Sequence, residues 1–165
     1  MKYKDIVPKI DKSAIILSGK VIGDVTLKKD VNVWFNATIR GDMARVVIEE
    51  GTNIQDNAVV HTNTDIPTSI GKMVTVGHSA IIHACTVQDN ALIGMGAIIL
   101  DKAQVCEAAM VAAGTVVPPG KIVPPRTLVM GNPMRIVREL TEAEIEANIE
   151  NARKYIKLAK EYNHD

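Results

Sequence analysis

Between Val87 and Val129 an aliphatic side chain recurs at every sixth position: Val87, Ile93, Ile99, Val105, Val111, Val117, Val123, Val129. The same step runs through Ile15, Val21, Leu27, Val33 and Ile39, then through Ile48, Ile54, Val60 and Ile70, Val76, Ile82. Two positions before many of these stands a small or short residue, as at Val25, Val31, Ala37, Ala91, Ala97, Ala103, Ala109 and Thr115. A period of six matches neither the 3.6 of a helix nor the strict alternation of a hairpin sheet. It predicts a solenoid in which short strands alternate with tight corners and each coil buries its aliphatics on the next. The pairs Ile22-Gly23, Ile70-Gly71, Val76-Gly77 and Ile93-Gly94 read as its punctuation.

The register slips three times. Ile39 to Ile48 is nine residues, Val60 to Ile70 is ten, and Ile82 to Val87 is five. All three slips lie close to histidines or to Arg40 and Asp42, and local rules tend to break where a site demands it. The solenoid is expected over about residues 11–133, ending near Gly131-Asn132-Pro133. Thr141-Glu142-Ala143-Glu144 then reads as a capping box. It opens a helix to about Tyr162, with Ile145, Ile149, Ala152, Ile156, Leu158 and Ala159 as its apolar positions against the solenoid. The whole chain, 1–165, is read as one domain.

Composition narrows the picture. Hydrophobic residues make up 47% of the chain but aromatics only 3%, so the core is built of thin aliphatic layers. Lys+Arg and Asp+Glu are both 19, which argues against a nucleic-acid or membrane-surface binder. No apolar run reaches spanning length and no secretory leader is read, and Cys85 and Cys106 are too few for a disulfide framework. A cytoplasmic location is expected.

Three of the four histidines, spaced His61-x16-His78-x4-His83, fall inside the repeat; the fourth is His164. Three neutral imidazoles with an open fourth position form the ligand set of a catalytic zinc. His61 follows the inward Val60 and His83 follows the inward Ile82, one full coil apart. They should stack on one face, about 4.8 Å apart by strand spacing. His78 follows Gly77 on the preceding face and does not close on them within one chain. A three-fold oligomer would let His61 and His83 of one subunit meet His78 of the next. Arg40 and Gln55 share the phase of His61 and are expected to face the same intersubunit groove. Asp42 reads as an interface ion-pair partner of Arg40, with direct catalysis as the other role. Cys85 is read as a small core or interface residue, with soft metal ligation the alternative.

With Arg40-Gly-Asp42, Asn53-x-Gln55-Asp56 and the three histidines, the chain resembles the γ-class carbonic anhydrases, specifically a short bacterial branch often called hexapeptide transferase-like. That resemblance implies a left-handed parallel β-helix and a homotrimer with Zn2+, or Fe2+ or Co2+, between subunits. It implies His61, His78 and His83 as ligands, Gln55 orienting a hydroxide and Asn53 lining the pocket. Arg40 and Asp42 would hold the interface, and Tyr155 would reach in from the terminal helix. The implied chemistry is metal-hydroxide attack on CO2 to give bicarbonate. The chain departs from the family pattern at Met43, where a Glu is usual, and in the loop after His61, where Asp65 is the one acid. Proton export should be slower for it. Rival expectations are a metal-dependent acyl-CoA thioesterase, a hexapeptide acyltransferase and a structural subunit.

Overall fold

The computed structural model describes residues 1–162, so His164 lies outside the described residues. The chain winds into a left-handed parallel β-helix of about seven turns, closed by one C-terminal helix. Three strand columns make a triangular section. Face A stacks Ile15–Ile16, Asn32–Val33, Asn53–Ile54, Thr75–Val76, Leu92–Ile93, Met110–Val111 and Thr127–Met130. Face B runs through Val59–His61, Ile81–His83, Ile98–Ile99 and Val116–Val117. Face C runs through Thr68–Ile70, Thr86–Val87, Gln104–Val105 and Ile122–Val123. Two longer strands, Lys20–Leu27 and Thr38–Ile48, pass from face B to face C without a break and join the two into one sheet.

The six-residue step becomes a core. Ile39, Ile54, Ile70, Ile82, Ile93 and Ile99 are all fully buried, as are Ala58, Ala80, Ala97 and Ala109 at the short positions. A large and a small inward side chain alternate around each coil because the triangle has no room for two large ones. Each aliphatic rests on its counterpart a coil away, and full burial is worth roughly 1.5–3 kcal/mol per side chain.

Of the four glycine pairs only Ile22-Gly23 places its glycine in the left-handed region. Gly77 and Gly94 have ordinary backbone angles; what forbids a side chain is the next coil. A Cβ on Gly77 would lie 2.8 Å from the Ile93 carbonyl oxygen, and one on Gly94 would lie 2.5 Å from the Ala113 nitrogen. The corners themselves use left-handed residues that are mostly not glycine, among them Asn36, Asn57, Ser79, Met73, Ala84 and Arg126.

The register slips have distinct shapes. The nine-residue step lets Thr38–Ile48 turn the corner as one strand. The ten-residue step extrudes a turn pinned by paired backbone bonds between Asn63 and Ile66. Past the last coil, Arg135–Glu139 pairs antiparallel with Thr127–Met130 and covers its edge. That strand was not expected from sequence: both its faces are exposed, so its residues carry no alternation.

Helix α1 (Glu142–Tyr162) begins with the capping box: Thr141 Oγ1 accepts from the Glu144 nitrogen at 3.3 Å, and Glu144 accepts from the Thr141 nitrogen at 2.9 Å. Arg138 adds a bidentate pair to Glu144, and together these bonds pull that carboxyl down to about 2. Ile145, Ala152 and Ala159 are buried against face A. Leu158, expected on the docking face, is instead 41% exposed. Four of the chain's five aromatics gather where α1 meets the early coils, with Trp34 edge-on to Phe35, Tyr155 and Tyr162. Among the described residues no helix is long and apolar enough to cross a membrane.

Ile82→Ala should lower unfolding free energy by about 2–5 kcal/mol. Leu158→Ala should stay within about 0.5 kcal/mol, both measured by urea denaturation.

Candidate metal centre

The sequence-selected residues divide between two corners of the triangle. At the corner between faces B and C, His61 and His83 are register partners on neighbouring coils, with ring centroids 5.3 Å apart. Each holds a carboxylate. His61 Nε2 lies 2.9 Å from Asp42 Oδ1, and His83 Nδ1 lies 2.6 Å from Asp101 Oδ1. Arg40 pairs with the second oxygen of Asp42 inside the same chain. The strand that turns the corner makes this possible, since it carries Asp42 back over the coil bearing His61. Thr62 and Thr68, both buried, brace the backbone there: Thr62 accepts from the Ala44 nitrogen at 3.1 Å, and Thr68 donates to the His61 carbonyl at 2.5 Å.

These contacts set the charges. Burial works to raise the Asp42 carboxyl, but hydrogen bonds from His61 and Arg40 and the Arg40 charge outweigh it and hold it below the usual range. Asp101 is held low chiefly by the Asn63 amide and next by His83. Both carboxylates are therefore ionised acceptors at neutral pH. Asp101 went unnoticed in the sequence, although a signal existed: it stands 18 residues after His83, one coil on in the same corner column.

The second group lies at the corner between faces A and B. His78 Nδ1 is 2.8 Å from Asp56 Oδ2, one coil below it. Beside it a cavity of about 230 Å³ is lined by Gln55, His78, Leu92, Met95, Asn151 and Tyr155 among others. Tyr155 reaches it from α1, and burial followed by the Asp56 charge raises its phenol. Asn53 does not line the cavity. It is fully buried, donating to Thr75 Oγ1 at 3.0 Å and to the Val74 carbonyl at 3.4 Å. A carbonyl only accepts, so the Asn53 amide nitrogen is the donor there and its Oδ1 must receive Gln55 Nε2, at 3.0 Å. Among the described residues this leaves Gln55 Oε1 free, an acceptor presented by a buried side chain.

Within one chain, then, Gln55 and Arg40 do not share a groove. Gln55 belongs to the His78 corner and Arg40 to the His61 corner, because the phase after an inward aliphatic recurs on every face. Among the described residues no three His, Cys, Asp or Glu side chains converge as a metal-binding group. Between the two corners, face B turns outward a ladder of Val59, Ile81, Ile98 and Val116 in register. Val59 and Ile81 are exposed. Metal ligation by Cys85 is overturned: the side chain points into the aliphatic core, and burial pushes its thiol up to about 12.

No protein-family model matches the chain. A probable carbonic anhydrase of Methanocaldococcus jannaschii is 52% identical over 151 residues, spanning 91% of this chain and 95% of its own length. The mitochondrial gamma carbonic anhydrase 2 of Arabidopsis thaliana is 44% identical over 166 residues, 96% of this chain and 60% of that protein. Among solved structures, a hexapeptide transferase family protein from Anaplasma phagocytophilum superposes with a TM-score of 0.94 at 43% identity, covering 98% of this chain and 96% of that one.

Titration of the native protein with a chromogenic disulfide should label Cys106, which is partly exposed, and leave Cys85 unmodified until denaturant is added.

Proposed function

The chain belongs to the γ-class carbonic anhydrase family, and from that premise we propose that it hydrates CO2 to bicarbonate at metal sites shared between the subunits of a homotrimer. It is an enzyme of the carbonic anhydrase type. The observation that carries the finer reading is the division of the site. Two imidazoles stand at one edge of face B, and the third stands with Gln55 at the other edge, across an exposed aliphatic ladder. A second copy laid on that ladder covers apolar surface and brings unlike edges together, and a closed ring of such contacts is a cyclic oligomer.

The donor set fits a divalent ion of the zinc, iron or cobalt kind. All three imidazoles hold a carboxylate on one ring nitrogen, the pairing that orients metal-binding histidines, and so keep the other nitrogen for a metal. His61, His78 and His83 would hold the ion. Bound there, it supplies Lewis acidity that makes water a nucleophile at neutral pH.

The chain's own residues do the rest. Gln55 Oε1, left free by the Asn53 bond, would accept a hydrogen bond from the O–H of the attacking oxygen and so turn that oxygen's lone pair toward the substrate. Leu92, Ile93 and Met95 give the cavity an apolar wall suited to an uncharged linear molecule. Tyr155, half-buried and kept protonated, offers a phenol O–H to the bicarbonate oxygens. Arg40 acts at a remove by fixing Asp42, which fixes the His61 ring. The site is slow at exporting protons, because Met43 is an exposed thioether and the one acid of the 62–67 segment, Asp65, is itself exposed to solvent. A cytoplasmic location belongs to the same reading.

Stopped-flow CO2 hydration by anaerobically prepared Zn, Co and Fe(II) forms tests the proposal. Metal-dependent hydration abolished by His78→Ala is expected. A fully metallated oligomer with no hydration would refute it and turn attention to thioester hydrolysis. The missing shuttle should hold kcat down by about 10²–10⁴. High concentrations of imidazole buffer should recover part of that loss, and a kcat indifferent to buffer would rule the explanation out.

A further inference from the structure

We propose that Asp101 and Asn63 form a clamp that fixes the tautomer of His83 and so presents its Nε2 as the metal ligand. The inference rests on the metal site proposed above, and it assigns a role to the ten-residue step in the repeat.

Both oxygens of Asp101 are engaged. Oδ1 faces His83 Nδ1 at 2.6 Å and Oδ2 receives Asn63 Nδ2 at 2.7 Å. A carboxylate with both oxygens held cannot swing aside, and an ionised carboxylate only accepts. The proton on His83 is therefore on Nδ1, and Nε2 carries the bare lone pair. Asn63 is itself oriented, since its Oδ1 accepts from the Thr64 nitrogen at 2.8 Å and so turns its amide nitrogen to Asp101. Its backbone is pinned across the turn, with Asn63 donating to the Ile66 carbonyl and Ile66 donating to that of Asn63.

The reach of this contact is unusual for a solenoid. The other side-chain bonds described at this corner stay within a coil or join neighbouring coils, whereas Asn63 and Asp101 are 38 residues apart and straddle the coil that carries His83. Only an extruded turn can span that distance, and the extra residues between Val60 and Ile70 supply it. Asn63 and Asp101 are positioning residues, acting on the metal through His83.

Two readouts test the clamp. Long-range proton–nitrogen spectra of the metal-free protein report the His83 tautomer, and competition with a chromophoric chelator reports Zn(II) affinity. Asp101→Ala and Asn63→Ala should each mix the tautomers and weaken zinc binding, by roughly 10–100-fold for Asp101→Ala. Asp101→Asn offers one acceptor oxygen to two donors, so it should hold the tautomer only in part and bind zinc with an affinity between wild type and Asp101→Ala. Asn63 lies on the extruded turn, and circular dichroism of Asn63→Ala should match wild type, separating the effect from unfolding. Wild-type tautomer and affinity in both alanine variants would overturn the clamp while leaving the metal site standing. A wild-type protein that takes up no zinc, cobalt or iron would overturn the metal site and this role with it.

Discussion

Everything in this molecule depends on coils stacking in register. Strands one coil apart pair Val60 with Ile82 and Ile82 with Ile99, so each side chain has a fixed neighbour above and below. The hydrophobic effect drives the stacking, but the backbone ladders make it exact to the residue, since a slip of one would turn every inward aliphatic to solvent. That rigidity is what lets two histidines 22 residues apart in the chain stand side by side. It also lets carboxylates be delivered to their ring nitrogens from the coil before or after.

The same rule explains why so much was legible beforehand. Once the step of six is recognised, the pairing of His61 with His83 and the separation of His78 follow from counting. Asp101 is open to the same count, 18 residues beyond His83, but a lone aspartate among nineteen acidic residues carries no signal until its column is traced. Other features were not countable. The contact between Asp42 and His61 arises where Thr38–Ile48 runs past a corner, and the step of nine residues does not say in which direction the surplus goes. The burial of Asn53 beneath Gln55 depends on α1 covering face A, a tertiary fact. The left-handed corners at Met73, Ala84 and Arg126 lack any residue signal, because packing rather than propensity imposes their conformation.

The partition of polar residues between two corners gives the site its character. One corner carries a charged network of Arg40, Asp42, His61, His83 and Asp101; the other carries the His78–Asp56 pair, a neutral amide pair and an apolar cavity. Each is tuned by substitutions that leave the aliphatic core untouched.

The corners in the left-handed conformation have a further meaning for how the structure fails. A non-glycine residue held there costs on the order of 1–2 kcal/mol, an expense each coil meets only while its aliphatics rest on a neighbour. A coil that loses its neighbour keeps the strain and loses the compensation, so unravelling runs inward from an open end like a nearest-neighbour stack. The hairpin at Arg135–Glu139 guards one end and the first residues the other. His61, His78, His83 and Asp101 lie on the third to fifth of the seven coils, the part of the stack that frays last.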